Sequence, residues 1–310
     1  MHGTISAVFQ ICVALVLAPL LPGIVNRVKA VVAGRRGSPV LQSWFDIAKL
    51  MAKSAVYSRT TGWVFRMGPV VGLSAAAATL MLIPWAGGAA LLSFDGDLLL
   101  FAGLLGVMRF VTIIAALDTG SAFEGMGASR EAWFSSLAEP ALLLGLAAIA
   151  RTRGGISLAG VLVGSSGVSG PNAAVTILVT VALFVVFLAE NARIPVDDPN
   201  THLELTMIHE VMVLDHGGVD LAYIQYGASL KLWVLGGLIV SLLVPRTGEW
   251  YLDFAAAVAG IAIVAAATGV VESIMARLRI VRVPQLLVAA IAMSAFGLAL
   301  ALMSPPSVAT

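Results

Sequence analysis

The chain has 310 residues, 59% of them hydrophobic and 11% charged, with a mean hydropathy of +0.99. A soluble domain carries roughly 25% charged residues to face water, so 18 basic and 17 acidic side chains exclude an ordinary soluble fold. A net charge of +1 gives no reason to expect a nucleic-acid partner, and the single cysteine, Cys12, excludes an intrachain disulfide or a cysteine-held cluster.

The composition predicts an all-α, polytopic integral membrane protein forming one membrane domain over residues 1–310. A span needs about 20 mostly apolar residues to cross the hydrocarbon core. Eight segments qualify: Ile5–Val25, Met67–Leu91, Leu98–Leu117, Ser136–Ala150, Ala173–Glu190, Ala228–Pro245, Phe254–Ala276 and Leu286–Met303. The first is too long, and lacks the basic leader, for a cleaved signal peptide.

Lys and Arg set the orientation. Loops 26–66, 118–135, 191–227 and 277–285, with Arg66 and Lys231 at span edges, hold fourteen basic residues, and the opposite side holds Arg151, Arg153 and Arg246. The expectation is a multi-pass protein of a bacterial or archaeal cytoplasmic (inner) membrane, with these loops inside and both termini outside. In the first loop, Leu41, Trp44, Phe45, Ala48, Met51, Ala52 and Ala55 recur at helical spacing opposite Gln42, Asp46, Lys49 and Lys53. That pattern predicts an amphipathic helix lying along the interface. The outward "VGSSGVSG" is a Gly/Ser-rich loop, and with no Lys after it it is not a phosphate loop.

Four ionisable residues fall inside spans: Arg109, Glu139, Glu190 and Glu272. Each costs roughly 2.5–3.5 kcal/mol on insertion scales and persists when paired, hydrated or used. They are the candidate charge pathway, with Glu139 and Glu272 as the first partners expected for Arg109. The outward halves of the spans show no titratable residue well inside, so a proton wire across the whole chain is not expected.

Between spans five and six, Pro195 and Pro199 make "RIPVDDPN" an extended acidic turn, and helical spacing resumes from His202 through Leu203, Met207, Val211 and Leu214. The stretch "AENARIPVDDPNTHLELTMIHE" resembles the signature loop of the subunit-1 family of respiratory complex I. More closely it resembles the membrane subunit of formate hydrogenlyase and other group 4 membrane-bound nickel–iron (NiFe) hydrogenases. "GRRGSPVLQSWFDIAKL", "LDTGSAFEGMGASREAWFSSLAEP" and "VVESIMARLRIVRVPQ" look like three further segments of that family, in order.

The resemblance implies an eight-span membrane-anchor and coupling subunit. It would join a peripheral redox arm, made of a hydrogenase-like large subunit and an iron–sulfur small subunit, to antiporter-like membrane subunits within the lipid bilayer. It implies that buried glutamates carry charge toward the ion-translocating subunits, with Glu139 and Glu190 at matching positions. Arg193, Asp197, Asp198 and Glu204 match the loop that faces the arm. Arg35, Arg36, Gln42, Asp46, Lys49, Arg130, Glu131, His209 and Glu210 fall in the same family loops. No cofactor is expected in this chain, and the NiFe centre and iron–sulfur clusters belong to partners. The quinone branch continues this loop differently from "THLELTMIHE", which argues against a quinone-site subunit of a complex I-like dehydrogenase. A stand-alone secondary transporter is disfavoured by the lack of an internal repeat. His209-Glu210 starts an HExxH-like string, but Val213 stands where the second His is needed, so no metal site is expected.

Overall fold

The computed structural model describes residues 2–163, 172–197 and 207–303, and among these it is helical with no strand. The outward "VGSSGVSG" beyond Val163, and with it Asp198, His202 and Glu204, lie outside the described residues. Among the described residues seven helices are long and apolar enough to cross a membrane, and a bent pair at the start makes an eighth when counted as one span.

That pair is α1 (His2–Leu17) and α2 (Leu20–Val32), which meet at 44°. Pro19 has no N–H to give the carbonyl of Leu15, so the α-helical ladder breaks there. Two side chains replace the missing donors: the Tyr226 hydroxyl donates to Leu15 O at 2.9 Å and the Trp44 indole to Val16 O at 3.1 Å. Trp44 belongs to α3 (Gln42–Met51), the amphipathic helix foreseen in the first loop.

Helix α4 (Trp63–Leu82) starts under a carboxylate from its neighbour: Asp118 Oδ2 accepts from Gly62 N at 2.6 Å and Phe65 N at 3.1 Å. The second expected span ran on to Leu91, but α4 stops at Leu82 because Pro84 holds Ile83 extended. The chain then turns Trp85 into the core, edge-on to Trp233 at 5.1 Å.

Helix α5 (Asp97–Asp118) coincides with the third expected span. Helix α6 (Ala122–Arg153) exceeds the fourth: most of the expected loop 118–135 is its first turns, which places Arg130 and Glu131 on a helix. The short α7 (Leu158–Val163) is held by Asp97, whose carboxylate accepts from Leu158 N at 2.6 Å and Ser157 Oγ at 3.1 Å. Helix α8 (Ala173–Glu190) has the predicted bounds, and α9 (His209–Met212) is a single turn in the loop that follows.

Helix α10 (Gly218–Leu243) begins ten residues before the sixth expected span. It is the most enclosed helix of the bundle and packs against α2, α3, α4, α8 and α11. Helices α11 (Trp250–Ile274) and α12 (Val283–Met303) complete the fold, α11 lying along α2 and α12 along α6 and α8. At the α2–α11 contact a Cβ on Gly269 would lie 2.8 Å from the Val25 carbonyl oxygen, so glycine permits the approach that brings Glu272, one turn on, to α2.

Candidate functional site: an ion-paired row in the membrane

Three charged residues at near-helical spacing, Glu190, Arg193 and Asp197, follow one another where α8 ends. Each pairs with a different part of the bundle. Glu190, almost wholly buried, bonds Arg109 on α5 and lies 3.8 Å from Lys231 on α10. Arg193 reaches Glu272 on α11 at 3.5 Å, and Asp197 pairs with Arg277 at 2.7 Å.

The backbone of the segment is also tied down. Arg193 N donates to Leu188 O at 2.9 Å, Leu278 N to Pro195 O at 3.0 Å and His209 N to Asp197 Oδ2 at 3.0 Å. Ala192 turns the chain out of α8 at φ +48°, in the left-handed region that few non-glycine residues enter. The described part of the turn expected here is tighter than extended: Val196 N donates to Arg193 O at 2.9 Å and Asp197 N to the same oxygen at 3.2 Å. Arg193 and Asp197 differ from expectation in facing their own chain, where both are largely buried.

Arg109 is the centre of the row. One terminal nitrogen bonds Glu190, and the other lies 3.6 Å from Glu139 on α6. Glu139 is therefore one of the two partners foreseen for it. Glu272 is not: it sits beside α2, where Lys29 Nζ meets one of its oxygens at 2.8 Å while Arg193 meets the other. The reason is packing, since Gly269 docks α11 on α2 and turns that face of α11 away from α5.

Glu139 differs from the other carboxylates. Its side chain is 42% exposed, against 1% for Glu190 and 0% for Glu272, although it lies near the middle of α6. A carboxylate left open to hydrocarbon costs several kcal/mol, so this face of the span requires a polar neighbour or water.

On the other side of Glu190 lies a cavity of about 370 Å³ between α4, α5, α10 and the α8–α10 connection. Arg109, Glu131, Glu190, Arg193, His209 and Lys231 all line it. Burial, aided by the positive charges of Lys231 and Arg193, lowers the His209 pKa to about 4. His216, also in the wall and stacked flat on Phe65 at 3.8 Å, is lowered to about 4 by burial. Both imidazoles are therefore neutral near pH 7.

Lys231 is the member of this charged row that the sequence reading misplaced. Thirteen residues into α10 and only 9% exposed, it is a second cation of the buried row rather than a loop charge. Its surroundings, Leu230, Leu232 and Trp233, carried the signal. Without it, thirteen basic residues on one side stand against three on the other.

Among the residues expected at a partner interface, Arg35, Arg36, Asp46 and Lys49 are exposed, and Gln42 is tied to Asp46 at 2.8 Å. Arg130 instead donates inward to Met207 O at 3.0 Å, and Glu131, His209 and Glu210 line the cavity. No group of three or more His, Cys, Asp or Glu among the described residues is arranged to hold a metal ion.

A family model described as NADH dehydrogenase matches residues 5–303. The chain belongs to the NADH dehydrogenase subunit 1 family. Within that family it is 32% identical over 297 residues to formate hydrogenlyase subunit 4 of Escherichia coli (strain K12), covering 91% of this chain and 94% of that one. It is also 32% identical over 242 residues to hydrogenase-4 component C of the same organism, covering 78% and 75% of the two chains. Against an NADH-quinone oxidoreductase chain of Rubrobacter xylanophilus, identity is 27% over 223 residues, 70% of this chain and 64% of that one. A chain of the membrane-bound sulfane sulfur reductase, an archaeal respiratory membrane complex, has the same fold, with a TM-score of 0.82 at 21% identity over 97% of this chain and 100% of that one. The chain is thus a multi-pass member of a family whose relatives are membrane subunits of respiratory complexes.

Proposed function

We propose that this chain is the membrane-anchor and coupling subunit of a hydrogenase-type or formate-hydrogenlyase-type complex. The reading rests on one arrangement: Arg109 joins the cavity carboxylate Glu190 to Glu139, the carboxylate that opens on the side of the bundle. A change of charge at the cavity is felt along a row of touching ion pairs, because their separations of 4 Å or less lie in a medium that screens poorly. The cavity end would receive that change from a peripheral arm carrying the NiFe centre and iron–sulfur clusters. Glu139 would pass it to an antiporter-like membrane subunit covering α6.

The likeness to formate hydrogenlyase subunit 4 over nearly the whole of both chains supports this class of complex. The excess of Lys and Arg in the α2–α4, α5–α6, α8–α10 and α11–α12 connections supports placing them, and the arm, on the cytoplasmic side of the inner membrane.

Inverted membrane vesicles containing the whole complex test the reading, with a reduced viologen as electron donor. Glu139→Gln should leave hydrogen production within about threefold of normal but lower the accompanying proton uptake at least about tenfold, the loss of roughly 1.4 kcal/mol or more of coupling. Unchanged uptake per hydrogen formed would overturn the role given to Glu139. A second reading, a site for a quinone, draws on the cavity, whose 370 Å³ is in the range of small-molecule pockets. Added ubiquinone or menaquinone analogues that inhibit the vesicles competitively with one another would favour it.

A further inference from the structure

The charges of the buried network are unevenly shared. Besides Arg193, the described residues that line the cavity hold two cations (Arg109 and Lys231) and three carboxylates (Glu131, Glu190 and Glu210), and Arg109 also reaches Glu139. Beside the cavity, two cations (Lys29 and Arg193) face one carboxylate, Glu272. The cavity is short of positive charge, and its neighbour has one cation too many.

Arg193 stands between them. It follows Glu190 by three residues and lines the cavity together with Glu190 and Glu131, yet its guanidinium is turned to Glu272. That contact, at 3.5 Å, is long for a charge-assisted hydrogen bond, which is usually about 2.7–2.9 Å. Its Nε is buried with no hydrogen-bond partner among the described residues. Glu272 has a second cation beside it, Lys29 Nζ lying 2.8 Å from its other carboxylate oxygen. A cation weakly held by a carboxylate that has a closer cation, beside a cavity with an excess of negative charge, is poised to move.

We propose that Arg193 is a shared cation that alternates between Glu272 and the cavity carboxylates, with Lys29 neutralising Glu272 whenever Arg193 leaves it. This deepens the coupling role proposed above and rests on it. When the cavity carries its full negative charge, the guanidinium swings to Glu190 and Glu131. When that charge is reduced, it returns to Glu272. Each swing changes the load on Lys29 and so carries the state of the cavity to α2 and α11. Arginine suits the task, since its guanidinium stays charged in either position and offers five donors to whichever carboxylate it meets.

The experiment is a mutant cycle in the whole complex, reading proton uptake in inverted vesicles and co-purification of the partner subunits. Lys29→Gln leaves Glu272 with Arg193 alone and should trap it there, lowering coupled turnover about tenfold, in the range of couplings between touching residues. Glu272→Gln, alone or added to Lys29→Gln, removes one of the two stations, so coupled turnover should stay about tenfold low in both while the partner subunits still co-purify. A merely structural role of these charges behaves otherwise, turnover falling only as far as co-purification of the partner subunits falls. That result, or normal coupled turnover in either Lys29→Gln or Glu272→Gln, overturns the proposal. Glu190→Gln serves as the separate control. If it leaves coupled turnover unchanged, the coupling role itself fails. If it abolishes coupling while Lys29→Gln is silent, only the shuttling of Arg193 fails.

Discussion

The Tyr226 hydroxyl and the Trp44 indole each donate to a backbone carbonyl, of Leu15 and Val16, that the break at Pro19 deprives of its helical donor. In water such a carbonyl would find a solvent molecule. Within a membrane span it has no such recourse. Tyr226→Phe therefore keeps the ring, whose neighbour Trp44 lies 6.0 Å away, and deletes only the donor. Leaving a buried acceptor unsatisfied costs about 1–3 kcal/mol. The thermal unfolding midpoint of the purified protein should fall accordingly, and Pro19→Ala in the same background should restore part of it by returning the N–H to Leu15. An unchanged midpoint in Tyr226→Phe would mean that the carbonyl has another donor.

At the scale of an element, α3 shows how one short helix serves three surroundings. Ile47 is buried and Trp44 reaches the break in the first span, whereas Leu41, Phe45 and Met51 are about half exposed, and Asp46 and Lys49 face water. The exposed apolar strip beside a charged one is the pattern of a helix lying in the membrane interface. Phe45→Asp should leave the fold intact, because Phe45 is 58% exposed, yet weaken the hold of α3 on the bilayer. The measurement is limited proteolysis at Lys49 and Lys53 in vesicles, where cutting should become faster than in the wild-type protein. Equal cutting rates would place that strip against something other than lipid.

For the whole molecule, the charge asymmetry of the loops makes a prediction about sidedness. Thirteen basic residues gather at one end of the bundle, and at the other only Arg151, Arg153 and Arg246 remain. Of these, Arg153 donates to the Val161 carbonyl and Arg246 to the Pro84 carbonyl. A reporter that works only in the cytoplasm, fused after Thr310, should stay silent, and one that works only outside should be active. The opposite pattern would invert the molecule and move the cavity to the outer face. The two buried acids of the terminal end, Asp97 and Asp253, bond loop amides and hydroxyls at 2.6–3.1 Å, so they close loops rather than extend the ion-paired row.

The sequence by itself determined that the chain lives in a bilayer, and placed α5, α8, α11 and α12 to within a few residues. Spanning helices must bury their backbone polarity and show apolar side chains over a fixed length, and both demands are written locally. It also marked Arg109, Glu139, Glu190 and Glu272 as exceptional, since a charge among apolar neighbours stands out without any knowledge of its partner. What only the tertiary structure decided is who pairs with whom. Glu272 left Arg109 for Lys29 because a glycine three residues earlier lets α11 settle on α2. Lys231 joined the buried row because α10 starts ten residues earlier than its apolar run suggests, carrying that lysine deep into the bundle. Arg193 and Asp197 turned inward because the end of α11 and the turn after it carry Glu272 and Arg277 to them. Ion pairs between residues some eighty or more positions apart depend on how helices are docked, and no local pattern of residues encodes that.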